Sequence, residues 1–233
     1  MPRRLTESHF GRIMNDESSW TRRAVLGGVT GLAAGTLIGV DAAAAADVGE
    51  LAAPHIIPCG NWGARPPSEP VTLVRRRPAK LIIHHTVTAN TGDFSRKQAK
   101  RHARQVQNIH MDGNGWRDTG YLFIVSRGGF ITEGRHRSLA RLRGGDDFVL
   151  GAHTTGQNDK GVGIALEGNY DVSAPIPAQQ WQSLVRLCTF ACRSYRIPAK
   201  QIFGHRDFSA TACPGQRMYR RIVDLRKEVR GRL

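Results

Sequence analysis

Residues 80–86, KLIIHHT, constrain the fold more than any other stretch of the chain. Leu81, Ile82 and Ile83 form an apolar run too short for a helix, which reads as a buried strand. The strand ends in two adjacent histidines. Neighbours on a strand point to opposite faces, so only one of His84 and His85 can serve a given site.

Around this strand the pattern alternates. Residues 95–111 read as a helix, with Ser95 and Gln98 spaced as a capping box and Ala99, Ala103, Val106 and His110 on one face. Residues 120–126 and 129–133 read as strands joined by the turn Arg127-Gly128, and 162–167 and 201–203 as further strands. Residues 177–195 have the spacing of a long amphipathic helix that turns Trp181, Leu184, Cys188, Ala191, Cys192 and Tyr195 inward. Residues 215–230 read as a terminal helix. Such interleaving predicts an α/β fold: a single domain with a central mixed β-sheet flanked by helices.

The N-terminus reads differently. Thr21-Arg22-Arg23-Ala24-Val25-Leu26 is a twin-arginine pattern, followed by an Ala/Gly/Leu-rich run to Val40 and a small-residue cleavage site at Ala44-Ala45-Ala46. The apolar run falls short of the roughly 20 residues a membrane span needs. Residues 1–46 are therefore read as a twin-arginine signal peptide, 47–58 as a linker and 59–233 as the working domain. The expected destination is secreted or cell-wall associated, with no stable span after cleavage; an uncleaved N-terminal anchor is the alternative.

Charge narrows the partners. The chain holds 34 Lys and Arg against 19 Asp and Glu, a formal net charge of +15. Arg3, Arg4, Arg12, Arg22 and Arg23 are nearly balanced by Glu7, Asp16, Glu17 and Asp41, so the excess stays with the domain. That excess favours an anionic partner. No nucleic-acid motif accompanies it, which leaves an anionic wall polymer or a merely solvated surface. Nothing in the sequence requires more than a monomer.

His84, His205 and Cys213 are candidate ligands for one Zn²⁺ per chain, since imidazole nitrogen and thiolate sulfur suit that ion. Three protein ligands leave a fourth tetrahedral position for water, which distinguishes a catalytic site from a closed one. His205 follows a predicted strand in Phe203-Gly204-His205-Arg206-Asp207. Cys213 sits in Ala212-Cys213-Pro214-Gly215, at the mouth of the last helix. Spacing alone is a modest signal.

The residues taken in order are more specific. Trp62-Gly63-Ala64-Arg65, Ile82-Ile83-His84-His85-Thr86, Gln107-Asn108-Ile109-His110-Met111 and Gly115-Trp116-Arg117-Asp118-Thr119-Gly120-Tyr121 resemble the peptidoglycan recognition protein and type 2 N-acetylmuramoyl-L-alanine amidase family. So do Glu133-Gly134-Arg135, Gly151-Ala152-His153, residues 163–169 (GIALEGN), Gly204-His205-Arg206-Asp207 and Cys213-Pro214-Gly215. The resemblance implies zinc bound by His84, His205 and Cys213 in a surface groove, with Tyr121 and Thr211 beside it as catalytic residues. It implies peptidoglycan as the partner and hydrolysis of the lactyl–L-alanine amide as the reaction. Family members that only recognise peptidoglycan commonly lack the cysteine, so a non-catalytic peptidoglycan-binding protein is the alternative.

Other roles follow from the same resemblance. His153 either contacts substrate in the groove or steadies its loop. Gly115 and Trp116 match a pair associated with a diaminopimelate-type stem peptide. Arg127 is either a partner for that residue's extra carboxylate or an exposed turn arginine. Glu167 is either a general base or structural; in related amidases a glutamate stands at the position of Ala165. Family members often tie their N-terminal segment to the long helix, which implies a disulfide from Cys59 to Cys188 or Cys192. His55, His102 and His136 carry no signal.

Overall fold

The computed structural model describes residues 53–171 and 174–233; the expected signal peptide lies outside the described residues. The strand with the two histidines forms at Lys80–His85 (β3). It pairs in parallel with Gly161–Leu166 (β7) on one side and with Ile202–Gly204 (β8) on the other. β7 in turn lies parallel to Phe123–Val125 (β4), which runs antiparallel to Ile131–Glu133 (β5) across the predicted turn.

Ile56–Ile57 (β1) closes the sheet by pairing in parallel with β5, giving the order β1-β5-β4-β7-β3-β8. The sheet thus begins inside segment 47–58, which the sequence reading took for a linker. Leu73–Val74 (β2) and Phe148–Val149 (β6) make a separate antiparallel pair. All three short strands escape periodicity analysis, because two residues carry no period.

Alternation sorts the sheet into two faces. Leu81, Ile83, Phe123, Val125, Ile164 and Leu166 pack against Ala178–Tyr195 (α4) and the C-terminal Ile222–Arg230 (α6) in the main core. Ile124 and Ala165 point the other way, against Val106 of Arg96–Asn108 (α2). His84 pairs with Ala165, and Ala165 with Ile124, so its imidazole shares the α2 face. The Ser95 hydroxyl accepts from the Gln98 N–H at 3.1 Å, fixing where α2 begins. A π-helical turn, Ile109–Gly113, ends it in place of the continued α-helix expected to residue 111. The terminal helix also breaks in two, Gln216–Arg220 (α5) and α6, at Arg221 (φ −92°, ψ 2°), whose guanidinium lies 3.6 Å from the Trp181 ring centroid. Ser138–Gly144 forms a helix (α3) that sequence analysis did not anticipate.

The expected disulfide is absent, and the two faces explain why. Cys59, in the short helix Cys59–Trp62 (α1), packs with Trp62, Ile57 and Ala103 on the α2 side. Its Sγ donates to the Gly134 carbonyl at 3.4 Å. Cys188 and Cys192 belong to the main core on the α4 side of the sheet. The sheet lies between them, and all four cysteines are free thiols.

Candidate metal centre

Parallel pairing assembles the site. In the β3–β8 register Ile83 lies opposite Gly204, so the next residues, His84 and His205, emerge side by side. Their ring centroids are 4.6 Å apart. The Arg206 N–H donates to the Cys213 carbonyl at 3.0 Å, closing the intervening loop and returning Cys213 to the histidines. Cys213 Sγ stands 3.5 Å from His84 Nδ1, and the ligand atoms of His84, His205 and Cys213 all lie within 4.8 Å of one another. That is a span one ion can bridge with ordinary Zn–N and Zn–S bonds.

Hydrogen bonds select the tautomer such a site needs. The Gly161 carbonyl can only accept, so His153 Nε2, 3.2 Å away, carries the proton. In the neutral ring Nδ1 is then an acceptor, and His84 Nε2 at 3.1 Å donates to it. The lone pair of His84 is left on Nδ1, facing Cys213. Burial, and then the neighbouring histidines, hold the His84 pKa well below its usual value, so the ring is neutral and free to ligate. Burial pushes the Cys213 thiol up to about 12, partly offset by a hydrogen bond from the His85 backbone. A thiol in this position ionises when a cation faces it. The donor set and its proton arrangement fit a divalent ion.

His153 thus acts on the site from behind. It is 7 % exposed, and its ring packs against glycine backbone at two places: a Cβ at Gly151 or at Gly163 would come to 2.5 Å from it. His85 faces away, as alternation requires, with Nδ1 accepting from the Tyr170 N–H at 3.1 Å. The Thr211 hydroxyl oxygen accepts from the Cys213 N–H at 3.2 Å, which leaves its own O–H to donate.

From the ligands an aromatic file runs outward. The Tyr121 ring centroid lies 5.1 Å from His84, His110 lies 5.2 Å from Tyr121, and Trp116 lies 4.8 Å from His110. Burial raises the Tyr121 pKa, and Cys213 adds to the shift, so the phenol keeps its proton as a hydrogen-bond donor. The sequence reading gave His110 only a place on the helix face. The Gln107–Met111 and Gly115–Trp116 motifs flanked it, but the π-turn that aims it between Tyr121 and Trp116 has no local signature. Its Nδ1 accepts from the Gly120 N–H at 2.9 Å, so Nε2 carries the proton.

Trp116 opens onto a pocket of about 350 Å³ whose walls include Glu69, Gly115, Arg117, Arg135 and Gly151. Arg135, unremarked as a site residue in the sequence, donates to the Thr119 and Leu150 carbonyls, both at 2.7 Å. Asp118 braces the same wall, accepting from Gln107 Nε2, the Thr119 N–H and both the backbone and ring of His136. Arg127 is placed elsewhere. It is buried, donating to the Thr91 carbonyl at 2.9 Å and to Asn90 Oδ1 at 3.1 Å, and it is not among the residues lining the Trp116 pocket. Glu167 has both carboxylate oxygens engaged, by Gln98 Nε2 at 2.7 Å and the Arg127 N–H at 2.9 Å, which is a structural role.

A family model described as N-acetylmuramoyl-L-alanine amidase matches residues 74–216. The chain belongs to that family. A human N-acetylmuramoyl-L-alanine amidase is 34 % identical over 172 residues, 72 % of this chain but 28 % of the human protein, so the chain spans under a third of that relative. Among solved structures, Drosophila PGRP-LB superposes with a TM-score of 0.63 at 31 % identity, covering 72 % of this chain and 92 % of that one. Peptidoglycan recognition protein LE, solved with tracheal cytotoxin (a monomeric diaminopimelic acid-type peptidoglycan), reaches 0.63 at 26 % identity, covering 72 % and 92 %. Family and fold follow from these likenesses and from the mixed sheet together.

Proposed function

We propose that this chain is a zinc-dependent N-acetylmuramoyl-L-alanine amidase, exported and acting as a monomer on peptidoglycan in the wall. The convergence of His84, His205 and Cys213 within 4.8 Å, at the head of the Tyr121–His110–Trp116 file, carries that reading. A module that only bound the polymer would need the pocket but not the three ligands. Among the described residues no helix is long and apolar enough to cross a membrane.

Bound there, the ion would supply polarisation of the lactyl carbonyl and hydroxide at neutral pH. The protein supplies the rest. His153 holds His84 in the ligating tautomer, a supporting role common around metal-bound imidazoles. The neutral Tyr121 phenol donates to the oxygen of the scissile carbonyl as negative charge gathers on it. Thr211, fixed by the Cys213 N–H, offers its O–H to the same oxygen. The stem peptide runs along the aromatic file into the Trp116 pocket, where Arg117 and Arg135 face its carboxylates.

Digestion of purified peptidoglycan, followed by mass spectrometry with and without chelator, tests the proposal. Free stem peptides beginning with L-alanine, lost on chelation and restored by Zn²⁺, are expected. Binding to the polymer without their release would make the chain a recognition module. Cuts within the stem would make it an endopeptidase.

His153→Ala should lower zinc affinity by roughly 10–100-fold, the usual cost of losing a supporting group behind a ligand. Because His153 does not reach the reacting atoms, saturating zinc should recover most of kcat. Competition with a calibrated zinc chelator reads the affinity, and a kcat still depressed at saturation would instead put His153 against substrate.

A further inference from the structure

The outer face of α2 concentrates positive charge that its packing against the sheet does not require. Its 13 residues hold five cations and no carboxylate. Residues four apart are neighbours on a helix, so Arg96 faces Lys100, Lys97 faces Arg101, and Lys100 faces Arg104. Each like-charge pair destabilises the helix, and cations in its first turn oppose the helix dipole. Elsewhere on the surface several arginines are matched: Arg65 with Asp112, Arg76 with Asp159, Arg77 with Asp146, and Arg117 with Glu69. On α2 only Arg101 has a carboxylate, Asp93 at 2.7 Å, while Arg104 donates to the Trp62 carbonyl. The side chains of Arg96, Lys97 and Lys100 make no hydrogen bond or ion pair among the described residues.

A concavity of about 590 Å³ lies over this face, walled by Lys97, Lys100, Arg101 and Arg104, with no carboxylate in its lining. It shares no residue with the metal ligands or the Trp116 pocket. Four residues of helix advance about 6 Å, so the cations form a row at a spacing close to that of phosphates along an extended polyol-phosphate chain. The concavity has no aromatic side chain on which bases could stack, which disfavours single-stranded nucleic acid. The apolar face of α2 is spent on the sheet, so the helix cannot embed in a membrane interface.

We propose that the α2 outer face is an exosite for a linear, phosphodiester-linked polyol polymer of the cell wall. The choice of a wall polymer rests on the amidase reading above; the affinity for polyphosphodiester does not. The exosite would hold the enzyme on the wall while the groove engages stem peptides.

Lys97→Glu/Lys100→Glu is the decisive variant. It places carboxylates four residues from Arg101, Arg104 and Arg96, so it should raise Tm, and lost binding cannot then be ascribed to unfolding. Lys200→Glu/Lys227→Glu, an equal charge change on exposed lysines elsewhere, is the control. Calorimetric titration of the full chain with poly(glycerol phosphate) of defined length is expected to show salt-dependent binding. The first variant should weaken it at least tenfold and flatten the salt dependence, while the control shifts it less than threefold. Turnover of a soluble muropeptide should be unchanged in the Lys97→Glu/Lys100→Glu variant, which separates failure of the exosite from failure of the amidase. Equal loss in both variants would reduce the effect to net charge and overturn the site. Tighter binding to poly(uridylic acid) or to vesicles of phosphatidylglycerol would overturn the assigned occupant.

Discussion

Cys213→Ala is expected to abolish hydrolysis and zinc retention together. The substitution removes the one ligand able to bring negative charge to the centre, leaving two neutral imidazoles whose Nδ1 and ring contacts are arranged around an absent sulfur. Loss of affinity should exceed the roughly 10–100-fold seen when only a supporting group is removed. The fold should survive, since Cys213 is part-exposed and contributes nothing to the main core. Zinc content by inductively coupled plasma mass spectrometry, beside amide cleavage and thermal melting, checks all three. A variant that kept one zinc per chain and full activity would refute the ligand assignment.

Tyr121→Phe should retain the metal and lose most of the rate. Its ring packs beside His84 and His110, and phenylalanine preserves that packing. What disappears is a single donor, which in oxyanion sites costs about 10²–10³ in kcat. KM should move little, because the bond forms as charge develops rather than on binding. Steady-state kinetics on a defined muropeptide, with zinc stoichiometry measured on the same sample, makes the test. A large rise in KM at unchanged kcat would recast Tyr121 as a binding residue.

The two variants divide the site along the line that separates local from long-range information. His84, Tyr121, His205 and Cys213 were recognisable because each sits in a short motif, and the motifs occur in a specific order. Strand β3, helix α2 and helix α4 were recognisable because each is long enough to show a period. His153 was named, but its work was not. The relay from Gly161 through His153 to His84 depends on a loop folding back between Gly151 and Gly163, and no periodicity encodes that. Arg127 and Arg135 were equally visible as arginines. Only packing decides that Arg127 ties down the loop at Asn90 and Thr91 while Arg135 lines the Trp116 pocket.

The cysteines mark the same boundary. Three of them looked available for a bridge, yet Cys59 and the α4 pair lie on opposite faces of the sheet. The amino-acid order by itself determined the longer strands and helices and which side chains are chemically able to hold a metal, since both are set by residues within a few positions of one another. The tertiary structure alone decided which faces meet, which tautomer His84 adopts and which arginine reaches the pocket. Those outcomes belong to contacts between residues far apart in the chain, and the contacts exist only once the sheet has closed.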